Sequence, residues 1–135
     1  MVNVGDNFTH KFSYTQEDVD KFAEVTGDTN PLHIDEEAGK NSIFGKRVMH
    51  GFFGGSVFTK IFGTLFHADG NVYLKQNMTF RRPMFVDTEY EAVLTVKEID
   101  REKNRALIET NIRDVATGEI TTTGEALMMN KKAFV

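Results

Sequence analysis

The chain has 135 residues and no cysteine, with 16 basic against 20 acidic side chains and a net charge of −4. One domain with a substantial core fits this length, and disulfides, thiolate metal centres and a cysteine nucleophile are excluded. The acidic balance argues against nucleic-acid binding, which needs a basic excess or a clustered basic face, but it leaves room for a small anionic ligand held by a local basic rim.

Met1 to Thr9 carries neither a basic stretch nor an apolar run of the secretory kind. With the missing cysteines, this leads us to expect a cytoplasmic protein. Phe8 to Phe12 reads as a short strand. Thr15-Gln16-Glu17-Asp18 is a helix start: a hydroxyl can accept from the first turn, and acidic residues there suit the helix dipole. Val19, Phe22, Ala23 and Thr26 follow at helical spacing, and Gly27 is a natural stop. Pro31 keeps Asn30 out of the helical region and is itself fit to open a turn. Asp28 to Asn30 should therefore be a tight non-helical passage, with Asn30 holding the turn.

Asp35 to Gly45 is polar and reads as a surface loop, with a helical turn at Glu36 to Lys40. Met49 to Phe66 is the most apolar run in the chain. It approaches membrane-spanning length, but it holds four glycines together with Ser56, Thr59 and Lys60, so we expect a buried helix of a soluble fold and no membrane contact. Several small residues together imply close approach by a sheet or a ligand. Its phenylalanines, Phe52 and Phe53 among them, belong to the core, with one or two free to line an acyl tunnel.

After Gly70 the period changes to two. Four apolar/polar alternating segments follow, through Val72–Phe80, Tyr90–Val96, Ala106–Ile112 and Ile120–Met128. The short joins at Asp100–Asn104 and Ala116–Gly118 predict antiparallel hairpins covered on one face. Lys131 to Val135 reads as a frayed tail. The predicted class is α+β: one long buried central helix against a curved antiparallel sheet, as a single domain over residues 1–135.

Asp28 and His33, five positions apart on a turn before this helix, are candidates for an acid/base pair. Taken alone, each has a bland reading, as a turn residue or a packed histidine. His50 reads as structural or as pocket wall, and His10 and His67 as surface residues. No metal-ligand cluster is visible in the spacing.

Thr26-Gly27-Asp28-Thr29-Asn30-Pro31-Leu32-His33, then Phe44-Gly45 with Met49-His50-Gly51, then Phe80-Arg81-Arg82-Pro83, resemble the hotdog-fold acyl dehydratases, and within them the MaoC-like, (R)-specific enoyl-CoA hydratase family. The resemblance implies that Asp28 and His33 hold and activate water, and that the Gly51 backbone N–H binds the thioester carbonyl. It puts Asn30 and Thr59 in supporting places, Thr59 standing where relatives often carry Ser. After Pro83, relatives often show Gly-Asp where this chain has Asp87-Thr88, and Asp tolerates unusual backbone angles better than most residues. The implied reaction joins water to a trans-2-enoyl thioester of CoA or acyl carrier protein, giving the (R)-3-hydroxyacyl thioester without metal or redox cofactor. The implied assembly is a homodimer. Two rival readings are a hotdog thioesterase and a non-catalytic acyl-thioester binding module. Such thioesterases use a carboxylate on the long helix, and Met49–Phe66 has none.

Overall fold

In the computed structural model, which describes residues 1–135, β1 (Asn7–Phe12) leads into α1 (Gln16–Thr26) and the short helices α2 (Pro31–Ile34) and α3 (Glu36–Lys40). Next come α4 (Gly51–Gly55), α5 (Val57–Lys60) and a π-helical turn at Ile61–Leu65. The remaining strands are β2 (Val72–Phe80), β3 (Tyr90–Asp100), β4 (Arg105–Asp114) and β5 (Ile120–Met129).

The alternating segments form one antiparallel sheet in the order β1-β3-β4-β5-β2. The hairpins β3–β4 and β4–β5 are as expected, whereas β2 crosses to pair with β5 at the far edge. Ala92, Leu94 and Val96 on β3, Ala106, Ile108 and Ile112 on β4, and Ala126 and Met128 on β5 form the buried face. Val57, Phe58, Ile61, Phe62 and Phe66 pack onto it. Burial of this apolar face holds helix to sheet. Strand β2 differs: it lies at the sheet edge, a bulge at Tyr73/Lys75 breaks its alternation, and Val72, Tyr73, Leu74 and Phe80 are exposed.

The central helix departs from the uninterrupted one expected over Met49–Phe66. It begins at Gly51 and is broken at Ser56, whose hydroxyl donates back to the Phe53 carbonyl at 2.5 Å. Such back-bonding bends helices. Beyond Lys60 it relaxes into the π-turn, which the Asn71 amide closes by donating to the carbonyls of Phe62 and Phe66. Two of the glycines have a packing cause. A side chain at Gly54 would collide with the Met84 sulfur, and one at Gly55 with that of Met78.

Two further expectations are corrected. The C-terminal segment is not frayed. Phe134 is fully buried, Asn104 donates to its carbonyl at 2.9 Å, and the Asn130 side chain accepts from the amides of Lys132 and Ala133. His10 is not a plain surface residue either. Its ring is half-buried, Nε2 is enclosed without a partner, and burial, with Lys60 nearby, lowers its pKa. No helix is long and apolar enough to cross a membrane.

Candidate active site

The site is built from local hydrogen-bonding chemistry. Thr15 and Asp18 form a reciprocal capping box that starts α1, and Gly27 ends it at φ 82°. The left-handed residue turns the chain back sharply. Asp28 Oδ1 then accepts from the Asn30 amide at 3.3 Å, and Asn30 Oδ1 accepts from the Leu32 amide at 3.0 Å, capping α2. Pro31 occupies the first position of α2, where its missing N–H costs nothing. Asn30 thus holds the turn, as its sequence context predicts.

This geometry leaves Asp28 Oδ2 free to face inward, where it stands 3.9 Å from His33 Nε2 and equally 3.9 Å from His50 Nε2. His33 Nδ1–H donates to the Val48 carbonyl at 2.8 Å. A carbonyl can only accept, so Nδ1 carries the proton and Nε2 presents its lone pair toward Asp28 in the neutral ring. The carboxylate is half exposed (53%), while the imidazole is largely buried (13%). A water donating one hydrogen to each of two acceptors spans about 4.4 Å between them, so the observed gap is close to that of a single bridging water. The sequence-predicted pair therefore comes together.

Gly51 is the first residue of α4, so its N–H has no acceptor one turn back. It opens onto a cleft of about 330 Å³ lined by Leu32, Phe44, Val48, Met49, Phe80 and Met84, with Arg81 and Arg82 at the rim. Phe52 and Phe53 do not line this cleft. Phe52 is 70% exposed, and Phe53 stacks on Tyr14 and Phe22 at 4.3 and 4.8 Å. Thr59 is exposed and its hydroxyl has no hydrogen bond to either member of the pair. The bend after Pro83 survives its substitution, with Asp87 at φ 54°.

His50 is structural, one of the two readings its sequence context allowed, and it reaches the pair itself without lining the cleft. It is 4% exposed, its Nε2–H donates to the Asp28 main-chain carbonyl at 3.0 Å, and its ring stacks on His33 at 3.8 Å. Its place immediately before Gly51 was the one available signal. Asp28, His33 and His50 offer three metal-ligating atoms within 4.8 Å. The two rings lie only 26° from parallel, however, so their in-plane lone pairs run side by side and do not converge on one ion. With one Nε2–H committed to a carbonyl, the cluster suits hydrogen bonding better than coordination.

The family model described as MaoC like domain matches residues 3–120. The chain belongs to the MaoC-like family. Among relatives of this family, the (R)-specific enoyl-CoA hydratase of Aeromonas caviae is 32% identical over 111 residues, covering 82% of each chain. The 3-hydroxybutyryl-CoA dehydratase of Methylorubrum extorquens is 32% identical over 118 residues, covering 87% of this chain and 74% of the relative. The solved (R)-hydratase of A. caviae superposes with a TM-score of 0.90 at 29% identity, covering 96% and 97% of the two chains. The R-hydratase of Pseudomonas aeruginosa gives 0.89 at 30% identity, covering 96% and 82%. The MaoC-like chain thus has the hotdog architecture.

Proposed function

We propose that this protein is an acyl-thioester hydro-lyase, adding water reversibly to trans-2-enoyl-CoA, or its acyl-carrier-protein counterpart, to form an (R)-3-hydroxyacyl thioester. The observation that carries the reading is the 3.9 Å separation of Asp28 Oδ2 and His33 Nε2, with the free amide of Gly51 following His50, whose ring stacks on His33. Relatives named for hydration and dehydration of such thioesters support it.

Water held between Asp28 and His33 bonds through oxygen to Cβ of the enoyl thioester. Its proton passes to the pair, and a proton is delivered from the same side to Cα, so the addition is syn. Between these events negative charge rests on the thioester oxygen. The Gly51 N–H and the α4 amino end oppose that charge, and such donors contribute several kcal/mol to a transition state. The two proton-transfer roles are assigned jointly. The cleft beside Gly51 receives the acyl thioester, and Arg81 and Arg82 at its rim suit an anionic carrier. No metal or redox cofactor enters this balance.

The exposed apolar edge of β2 favours a homodimer, since an uncovered strand edge invites pairing. Light scattering behind size exclusion should give twice the 15.3 kDa chain mass. A cytoplasmic address belongs to the same proposal, in keeping with a cysteine-free chain and acyl-thioester substrates.

The test is loss of the conjugated-thioester absorbance of trans-2-butenoyl-CoA, followed by chiral analysis of the product. Fast loss in the parent, with deep loss of activity in both Asp28→Asn and His33→Ala, is expected. Release of free CoA without hydration would favour the thioesterase reading. Binding without turnover, across several chain lengths and on an acyl-carrier-protein substrate, would favour the binding module.

A further inference from the structure

From the residues alone, His50 reads as wall or packing. Its surroundings assign it more. A residue directly before a helix usually serves by accepting a hydrogen bond from the first turn, and the His50 side chain makes no such bond. Instead its Nε2–H donates to the main-chain carbonyl of Asp28, twenty-two residues away, at 3.0 Å. One face of the ring lies on His33 at 3.8 Å, and Phe22 approaches at 4.9 Å. Val48, the residue two before it, accepts from His33 Nδ1–H.

These contacts make His50 the junction of the site. It is covalently next to Gly51, hydrogen-bonded to the residue that carries the carboxylate, and stacked on the imidazole. We propose that His50 is the positioning residue of the pair, fixing the Asp28 turn against the α4 amino end so that carboxylate, imidazole and Gly51 amide share one geometry. This rests on the hydration reading above and extends it.

A second observation separates the role from packing. With the proton on Nε2, His50 Nδ1 is a buried acceptor, and it has no partner. A buried polar atom left unpaired is unfavourable, so an apolar ring of similar size would fill this place without that penalty. The benefit of histidine here is the Nε2–H bond to Asp28. That hydrogen is committed to the Asp28 carbonyl, although the same Nε2 stands 3.9 Å from Asp28 Oδ2, as His33 Nε2 does.

Displacing a reacting group by about 1 Å can cost on the order of 100-fold in rate. The full chain carrying His50→Phe, which keeps the ring and removes the donor, should therefore lose about 10- to 100-fold in kcat on trans-2-butenoyl-CoA. Its KM should stay within about twofold and its melting temperature within about 3 °C, since packing is preserved. His50→Gln, whose amide can place an N–H near the same point, should recover most of that kcat. Nitrogen-15 spectra of the parent's imidazoles should show His50 protonated at Nε2. Parent-like kcat in His50→Phe would overturn the proposal, as would His50→Gln no better than His50→Phe, or a kcat loss that merely tracks lost folding. An Nδ1-protonated His50 in the parent would overturn it whether or not the substrate is correct. A parent that hydrates no enoyl thioester would overturn the functional reading instead, and the imidazole spectrum would then decide the placement of the His50 hydrogen bond by itself.

Discussion

Two regions of this molecule are held by different forces. The turn from Gly27 to Ile34 is mostly exposed, and polar bonds fix it: locally Asp28 to Asn30 and the Asn30–Leu32 cap of α2, and from further away His50 to Asp28 and His33 to Val48. The centre of the sheet has little polar bonding between side chains. Ile108, Ile112, Leu94 and Phe58 there are excluded from water almost completely. Each polar bond in the turn contributes about 1 kcal/mol, and each buried side chain in the core about 1.5–3 kcal/mol. Geometry at the site and stability of the scaffold should therefore be separable by mutation.

The largest expected effect tests the first half of that comparison. Asp28→Asn preserves the Oδ1 acceptor for the Asn30 amide and removes the charge facing His33. Activity should fall by about 100- to 10,000-fold, with the melting temperature within about 3 °C of the parent. A comparable loss of stability would show that the turn, too, belongs to the scaffold. The mirror experiment is Ile108→Ala in the middle of β4. Emptying that position should cost about 2–5 kcal/mol in urea unfolding, while kcat per folded molecule stays within about threefold of the parent. A steep loss of kcat at full folding would join the two regions.

A smaller effect sharpens the boundary between them. The Thr15 hydroxyl accepts from the Asp18 amide at 3.2 Å and starts α1, the helix whose end delivers Asp28. Thr15→Ala should cost about 1 kcal/mol, read by denaturant unfolding, with kcat nearly unchanged. The cap is polar and exposed like the turn, yet it serves the scaffold, so the division follows what each bond positions and not its chemistry.

Local bonding also explains what could be read from the residues alone. Gly27, Asn30 and Pro31 act within a few positions of themselves, so their roles as stop, turn holder and helix opener were visible from order alone. The alternation of β3 and β4 carried the sheet in the same way. The features that escaped are long-range. His50 meets Asp28 and His33 from 22 and 17 positions away. Phe134 is buried because Asn104 and Asn130 anchor its segment. Phe53 looked free to line a tunnel until Tyr14 and Phe22 were placed against it. Asp87 lies between these cases: its positive φ was anticipated from the residue type, but only the fold sets the bend it serves.

The edge strand offers the smallest and most conditional test, because Tyr73 sits on β2, the last strand of the sheet. Its ring lies edge-on to Phe62, and its hydroxyl donates to the Gln76 side-chain carbonyl. Burial pushes its pKa from 10.0 up to about 12, and burial is also the main cause of the upward shifts at Tyr14 and Tyr90. A phenol is neutral when protonated, so a raised pKa means that the folded chain keeps the proton longer than the unfolded chain does. The stability linked to it is complete below pH 10, declines as the pH rises toward 12, and changes no further above that. Tyr73→Phe should therefore flatten the fall of unfolding free energy between those limits and leave the curve below pH 10 parallel to the parent's. The parent's phenolate absorbance should rise with a midpoint above 10 while the chain remains folded. An unchanged alkaline slope in Tyr73→Phe would mean that the ring is hydrated at the edge, and that the polar, solvent-facing character of the turn extends to β2 as well.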